Sequence, residues 1–596
     1  LCNKLENIKC WSVFENVFQN IRKTLGTSEA RGRKWKHRGK YVEDSLLGKL
    51  SGEMANFSLF SEWIYRGEGN RTLVIANPKT RQVLRLEKSN ITSKDQPNLG
   101  IQNANRKESE CLRKKIEKCI KFTKRVFIPL IGEKYVECGA IVELPEEFIT
   151  KNKDLVTSAN KERPNFRLNK EVNEQTKFGI LIPDFCFVSG DGVYANEVEG
   201  ETTFCVEIKP KYGTLPACAG LEKSLYRDVK ESICKYCLIQ WTKVNKEGKY
   251  PRRSGYCPLD LFSSDVKRVW HALICLLNDP QNNLRIFQNG EQVYSGDKAP
   301  SKNETAEHRS HLLQLEEVLR HSFGSLHLTN HKMDGEIDGT NFTSTTIFLS
   351  TLLQLLIHDS NETSIHHCHS RNRHSFDHPV CDASQYHEGM YSPGIPTWLM
   401  SKGLSFGREG VFMKILDVQN LDSIGTDKAF NIFNELCDYG LRDVIDSFIY
   451  TLNESSSKCC EDVHNNAQTN DICDGIQLFN AKSDSAHTNN DCSKPIKNGH
   501  ICSSNDLSIA SCKLDSLSKF LIAASANDCS VMISFQEAMH ATSTDPSCFE
   551  DVLTGKIYNY SVAVVDLDQK GSDRVEKYYK EYHDIIDNYL HFYQIW

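Results

Sequence analysis

Phe204-Cys205-Val206-Glu207-Ile208-Lys209-Pro210-Lys211-Tyr212-Gly213 is an apolar run with β-branched residues, and it reads as a strand. On a strand, Glu207 and Lys209 project to the same side, and Lys211 follows within the same short reach. Pro210 has no backbone donor, which suits a strand end or edge. Gly213 then lets the chain turn. An acid and two amines projected together before a turn suit a highly anionic small ligand. A solvated sheet face has the same Lys-Glu-Lys pattern. A second stretch of this kind near the other end of the chain, Val562–Lys570 (VAVVDLDQK), favours the ligand reading.

The chain has 596 residues and a formal charge of -6, with a pI of about 6.4. It therefore has no overall basic field of the kind that binds nucleic acid, and any anion site must be local. The 23 cysteines are odd in number and irregularly spaced, which points to a reducing compartment rather than a disulfide scaffold. The first residue is Leu1, so the sequence reads as a fragment, an incomplete gene model or a processed chain. The apolar runs Thr346–Ile357 and Phe520–Ala526 are too short or too polar to span a bilayer. A basic cluster, Arg31–Lys40, reads as a nuclear-import or anionic-surface patch, or as a solvated linker.

Outward from the first stretch, Trp63–Lys88 reads as strand, Gly turn, strand, hairpin turn, strand. Gly67 and Gly69 flank the first turn and would let backbone amides approach a phosphate, although a plain hairpin explains them equally well. Asn77-Pro78-Lys79 makes the second turn. Arg85, between Leu84 and Leu86, points away from the apolar face. Residues 103–128 are helical and rich in Lys and Arg. A strand is expected over Val136–Leu144, a helix over Phe148–Lys161, and a strand or strand pair over Gly179–Val188. Residues 225–243 read as one helix. Cys234 and Cys237 form a CxxC on it, a weak zinc signal without a second pair. Further elements are a helix over Val266–Leu277, a strand after Gln281-Asn282-Asn283, and a buried helix over Thr346–Ile357. Met413–Leu421 reads as a short strand or a helix start, and 428–452 as helix in two pieces broken near Gly440. Asn527–Phe535 is a strand with Asp528 just before it, 536–553 a loop, Tyr558–Asp566 a strand, and about 577–595 a final helix.

A Gly-rich hairpin, a strand Arg, two acid-bearing strand ends and many basic residues form the mixture that phosphoryl transfer needs. Cations and amides hold phosphates, one acid holds Mg²⁺, and another positions or deprotonates a hydroxyl. GxxxxGK[ST], HRD and DFG are all missing, so the chain is neither a standard P-loop enzyme nor an ordinary protein kinase.

The chain resembles the inositol-pentakisphosphate 2-kinase family. The resemblance rests on Tyr65–Asn70 (YRGEGN), Val83–Lys88 (VLRLEK), Val206–Gly213 (VEIKPKYG), Tyr256–Ser263 (YCPLDLFS), Gln281–Gly290 (QNNLRIFQNG), Asn527–Ser534 (NDCSVMIS) and Val564–Lys570 (VVDLDQK). They occur in family order and cover most of 62–290 and then 515–593. The resemblance implies an α/β (α+β), bilobal kinase-like fold. A Gly-rich hairpin N-lobe would cover 59–190 and a larger C-lobe with an inositide-binding subregion 191–596. Residues 1–58 would be a peripheral extension, and polar insertions would fall near 295–340, 360–393 and 455–510. The implied activity is transfer of the ATP γ-phosphate to the 2-hydroxyl of inositol 1,3,4,5,6-pentakisphosphate, with ATP and Mg²⁺ as cofactors, in a monomer of nucleus and cytoplasm.

Carried over position by position, Gly67, Gly69, Asn70 and Arg85 resemble the nucleotide-phosphate site. Asn283 resembles a nucleotide or metal contact, and Asp566 the Mg²⁺-binding acid. Arg163, Lys209, Lys211, Lys243, Asn282, Lys570 and Arg574 resemble the inositide cradle, and Asp528 the catalytic base. The family's plant members carry a structural zinc mid-chain. His366, His367, Cys368, His369, Cys381 and His387 lie in a comparable region and offer donors for it; the other reading of the same segment is a mobile polar insertion without metal. The chain departs from the family pattern at Lys235 and Ile239, where Arg and His are usual, at Asn527, where Lys is usual, and at Gly571, where Pro is usual. These changes imply weaker substrate contacts. An inactive inositide-binding or scaffold protein is the alternative.

Overall fold

The structure is a computed structural model. It describes residues 62–90, 101–188, 202–248, 250, 252–296, 304–324, 343–360, 393–394, 406–407, 409–442, 444–445, 504–538 and 548–593. The chain forms a mixed α/β fold with two antiparallel sheets and interspersed helices.

The first sheet comes from the early hairpins. β1 (Ile64–Glu68), β2 (Thr72–Asn77) and β3 (Gln82–Asn90) follow the expected strand-turn-strand-turn-strand reading. β4 (Ala140–Glu143), β5 (Lys170–Val172) and β6 (Phe178–Pro183) complete it in the order β1-β2-β3-β6-β4, with β5 paired to β3. Alternation along β3 buries Leu84 and Leu86 completely and leaves Arg85 on the other face. The Asn77 turn closes as an Asx turn, the Lys79 N–H donating to Asn77 Oδ1 at 3.0 Å. Helix α1 (Ile101–Phe122) runs on through a π turn, Thr123–Phe127, to Ile131.

The second sheet has the order β11-β12-β10-β7-β8-β9. Its strands are β7 (Thr203–Ile208), β8 (Leu284–Gln288), β9 (Glu291–Ser295), β10 (Ser530–Glu537), β11 (Cys548–Glu550) and β12 (Ile557–Val565). β7 sits inside the sheet and every one of its residues is buried, so it is not a solvated face. Phe204, Val206 and Ile208 enter the main core, where Phe204 meets Phe323 and Phe348 at ring distances of 5.3 and 5.9 Å. Cys205, on the opposite face, packs with Cys186 and Phe287.

Several sequence expectations need correction. Residues 225–243 are two helices, α2 (Leu225–Ser232) and α3 (Lys235–Asn245). Ile233 and Cys234 between them are extended, and Cys234 caps α3 through its sulfur, which accepts from the Cys237 N–H. Phe148–Lys161 holds only two short turns, Phe148–Lys151 and Lys153–Val156. The strand expected over Val136–Leu144 is confined to β4. β11 interrupts the loop expected over 536–553.

The polar stretch 295–340 is not only an insertion. Helix α5 (Glu304–Phe323) buries Leu315 and Leu319, because α6 (Thr343–Asp359) packs on it. Glu316 of α5 accepts from the Ser344 and Thr345 N–H groups at 3.0 and 2.9 Å, satisfying the start of α6. The helix expected over Val266–Leu277 is α4 (Val266–Asn278), and Met413–Leu421 is mainly helix, α7 (Val411–Gln419). α8 (Gly425–Asp438) ends before Gly440, which has φ +71°. α9 (Ser504–Ala526) begins inside the expected 455–510 insertion, and α10 (Asp573–Tyr593) ends the described chain. Among the described residues no helix is long and apolar enough to cross a membrane.

Candidate active site

Strand register gathers the site. Ile208 at the end of β7 pairs with Val531 at the start of β10 and with Leu284 at the start of β8. Ser530 at the start of β10 pairs with Val565 at the end of β12. Residues just beyond these pairs must emerge at one end of the sheet. They are Lys209 and Lys211 after β7, Asp528 before β10, Asp566 after β12, and Asn282 and Asn283 before β8.

The side chains meet there. Lys209 Nζ lies 2.8 Å from Ser530 Oγ, 3.2 Å from Glu207 Oε1 and 3.5 Å from Asp566 Oδ2. Asp528 is held between Lys211 Nζ at 3.4 Å and Lys570 Nζ at 3.0 Å. From the first sheet, Arg85 Nη2 comes within 3.5 Å of Asp566 Oδ1 and 3.8 Å of Asp568 Oδ2. Arg285 Nη1 lies 2.9 Å from Glu207 Oε2. Asp528 and Asp568 are the more open carboxylates, and Lys211 and Lys570 keep less than a fifth of their side-chain surface exposed.

The electrostatics follow from this packing. Burial works to raise the Asp528 carboxyl, but the ammonium groups of Lys211 and Lys570 outweigh it and pull its pKa down to about 2. Burial likewise opposes Glu207, and Lys209 and Arg285 together lower it to about 2. Both acids are therefore anionic at neutral pH. Lys235, at the start of α3, stands over the rings of Tyr212 and Tyr582 at 5.1 and 4.8 Å. Burial lowers its pKa to about 8.

The backbone bearing these groups is braced. Lys211 and Asp566 have φ of 63° and 62°, the left-handed region that a residue with a Cβ rarely adopts. Tyr256 Oη donates to the Pro210 carbonyl at 2.8 Å. Gln419 donates to the Lys211 carbonyl at 2.7 Å and accepts from the Gly213 N–H at 2.8 Å. Gly213 lies flat on Phe262, and a side chain there would overlap the ring. The YCPLDLF segment thus supports the EIKPK turn.

Other expected site residues have different surroundings. Arg163 is buried and donates to both oxygens of Glu68, at 2.7 and 3.0 Å; Lys88 also pairs with Glu68. Arg163 therefore anchors the Gly67-Glu68-Gly69 turn from within and is not brought to the lysine cluster. The Gly69 N–H closes the turn on the Thr72 carbonyl at 2.8 Å, and Asn70 accepts from Lys170. Asn283 is buried; its amide donates to the Lys209 carbonyl at 2.9 Å and its oxygen accepts from Tyr236 Oη at 3.4 Å. Asn282 is exposed. Lys243 lies two turns along α3 from Lys235, over the Tyr250 ring at 5.6 Å. Arg574 sits in the first turn of α10 with Lys570 just before it. Sequence reasoning missed Ser530, Arg285 and Asp568. The two-residue spacing of Asp566 and Asp568 was the available signal for the last.

Asp566 and Asp568 offer the hard oxygen donors that suit Mg²⁺. The zinc candidates His366, His367, Cys368, His369, Cys381 and His387 lie outside the described residues. Among the described residues, a different thiol group gathers: Cys234, Cys237 and Cys257, all buried. The weak CxxC signal therefore has a third thiol.

Comparison with known proteins gives the family. A family model described as inositol-pentakisphosphate 2-kinase matches residues 65–583. An inositol-pentakisphosphate 2-kinase of Danio rerio is 28% identical over 540 residues, covering 89% of this chain and 93% of its own. The enzyme of that name from Arabidopsis thaliana is 25% identical over 556 residues, with the same coverage. One from Drosophila melanogaster is 30% identical over 320 residues, covering 40% of this chain and 50% of its own.

Proposed function

This chain belongs to the inositol-pentakisphosphate 2-kinase family, and we propose that it transfers the γ-phosphate of ATP to the 2-hydroxyl of inositol 1,3,4,5,6-pentakisphosphate, giving the hexakisphosphate. Family membership supports inositol-phosphate kinase activity in general. The finer reading rests on one observation above all: Asp528 and Asp566 emerge at one sheet end among Lys209, Lys211 and Lys570. A substrate carrying five phosphates needs several cations, and the transfer needs few acids, each in a set place.

In this reading the two sheets belong to the two lobes of a kinase-like fold, and Arg85 reaches from the smaller lobe to the nucleotide phosphates. Lys211, Lys570 and Arg574 bind inositide phosphates, with Lys209, Lys243 and Asn282 completing the cradle. Asp528 accepts the hydroxyl proton as the new O–P bond forms and the bond from the γ-phosphorus to the β–γ bridging oxygen breaks, releasing ADP. Its low pKa makes it a weak base toward the free alcohol, so it orients the hydroxyl first and takes the proton late. Mg²⁺ held by Asp566 and Asp568 would supply charge neutralisation on the phosphates. Arg163 and Asn283 act here by holding backbone, Arg163 under the hairpin turn and Asn283 under Lys209.

The test is transfer of labelled γ-phosphate from Mg-ATP to the pentakisphosphate, with the product isomer resolved by chromatography. A labelled hexakisphosphate supports the proposal. Folded protein that binds the pentakisphosphate and makes no product would instead favour an inositide-binding protein without catalysis.

A further inference from the structure

Cys234 and Cys237 open α3, and Cys257 immediately precedes the helical turn Pro258–Leu261. The three sulfur atoms all lie within 4.8 Å of one another in the interior. Cys234 Sγ and Cys257 Sγ are 3.8 Å apart, and none of the three is in a disulfide. Buried cysteines commonly serve as small apolar side chains. Three from two separate segments sharing one point, rather than spread through a core, is the arrangement of a thiolate metal site. With metal–sulfur bonds of about 2.3 Å, the sulfur–sulfur edges of a tetrahedral or trigonal centre are roughly 3.8–4.0 Å. The Cys234–Cys257 edge already has that length.

The local chemistry favours thiolate. Cys234 Sγ accepts the Cys237 N–H at 3.4 Å, and it does so at the N-terminus of an eleven-residue helix, where negative charge is stabilised. Soft thiolates select soft cations.

We propose that Cys234, Cys237 and Cys257 bind one thiophilic d¹⁰ cation, Zn²⁺ or Cu⁺, as a structural clip. Its position gives the clip a role. Lys235 directly follows Cys234. Tyr256, directly before Cys257, holds the Pro210 carbonyl between Lys209 and Lys211. Tyr236 and Tyr256 also pack edge to face at 5.4 Å. The cation fastens the start of α3 to the segment that braces the lysine turn.

The test uses the full chain, purified without chelator under reducing, anaerobic conditions. A Cys368→Ser/Cys381→Ser background removes the thiols of the separate 366–387 segment. X-ray absorption and elemental analysis of that background should find one Zn or Cu per chain with three sulfur neighbours at about 2.3 Å. Zn, with a fourth non-sulfur neighbour, and Cu, three-coordinate, both support the site and identify the ion. Adding Cys237→Ser or Cys257→Ser should lose the metal, and chelation of the background protein should lower its Tm. Protein without sulfur-bound metal overturns the proposal, and so does a three-sulfur shell that survives Cys257→Ser. Should the serine variants fail to fold, the absorption spectrum of the background protein decides alone.

Discussion

Arg85 Nη2 lies 3.5 Å from Asp566 Oδ1, joining the central strand of the first sheet to the end of β12 in the second. The guanidinium is mostly buried and the carboxylate is half open, and in the proposed reading this pair meets the nucleotide phosphates and their cation. Arg85→Met removes a charge-assisted hydrogen-bond donor worth about 1.5–3 kcal/mol. The KM for ATP should rise roughly 10–100-fold, with the melting temperature little changed. An unchanged KM for ATP would remove Arg85 from the nucleotide site.

Lys235 gives a pH dependence with two opposite signs. Its folded-state pKa, lowered to about 8 by burial, lies below the unfolded value. Between about 8 and about 10.4 the folded chain has given up a proton that the unfolded chain keeps. Stability from this group therefore rises with pH through that window. Binding of a polyanion should run the other way, because the cation is lost as pH rises through 8. The kcat/KM for the pentakisphosphate should fall above pH 8, and Lys235→Met should abolish that limb. A limb that persists in the variant belongs to another group.

Glu68 tests the hairpin. Its carboxylate is fully buried against Arg163 and Lys88. Removing one partner of a buried ionic group leaves uncompensated charge and costs about 3–5 kcal/mol. Urea unfolding of Glu68→Ala should show a loss of that size. A loss under about 1 kcal/mol would mean that the triad contributes as little as a surface pair.

The two neighbouring asparagines should separate. Asn283→Ala strands the Lys209 carbonyl and should cost about 1–3 kcal/mol in stability. Asn282→Ala, at an exposed position, should leave stability unchanged and raise the KM for the pentakisphosphate. The reverse pattern, read by denaturation and steady-state kinetics on both variants, would return Asn283 to the ligand.

Much of this was legible in the sequence because it is local. The alternation in Val83–Lys88 placed Arg85 off the apolar face, and the apolar runs before Lys209, after Asp528 and before Asp566 marked three strands of one sheet. What was not legible depends on partners far along the chain. Nothing near Arg163 announces that Glu68, 95 residues earlier, will accept from two of its nitrogens. Asn283 reads as a ligand contact, and nothing local shows that its amide will also hold the Lys209 carbonyl. The break at Ile233–Cys234 was hidden because a cysteine sulfur is an unusual cap for a helix. The third thiol of the cysteine cluster, Cys257, lies 23 residues from Cys234 and meets it only through folding.

The central claim is that Asp528, between Lys211 and Lys570, takes the proton of the accepting hydroxyl. It is tested most directly by Asp528→Asn, measuring γ-phosphate transfer to the pentakisphosphate and calorimetric binding of that substrate on the same preparation. The account predicts a fall in kcat of about 10²–10⁴-fold, with substrate binding retained. Turnover within a few-fold of the original chain, at equal binding, would contradict it.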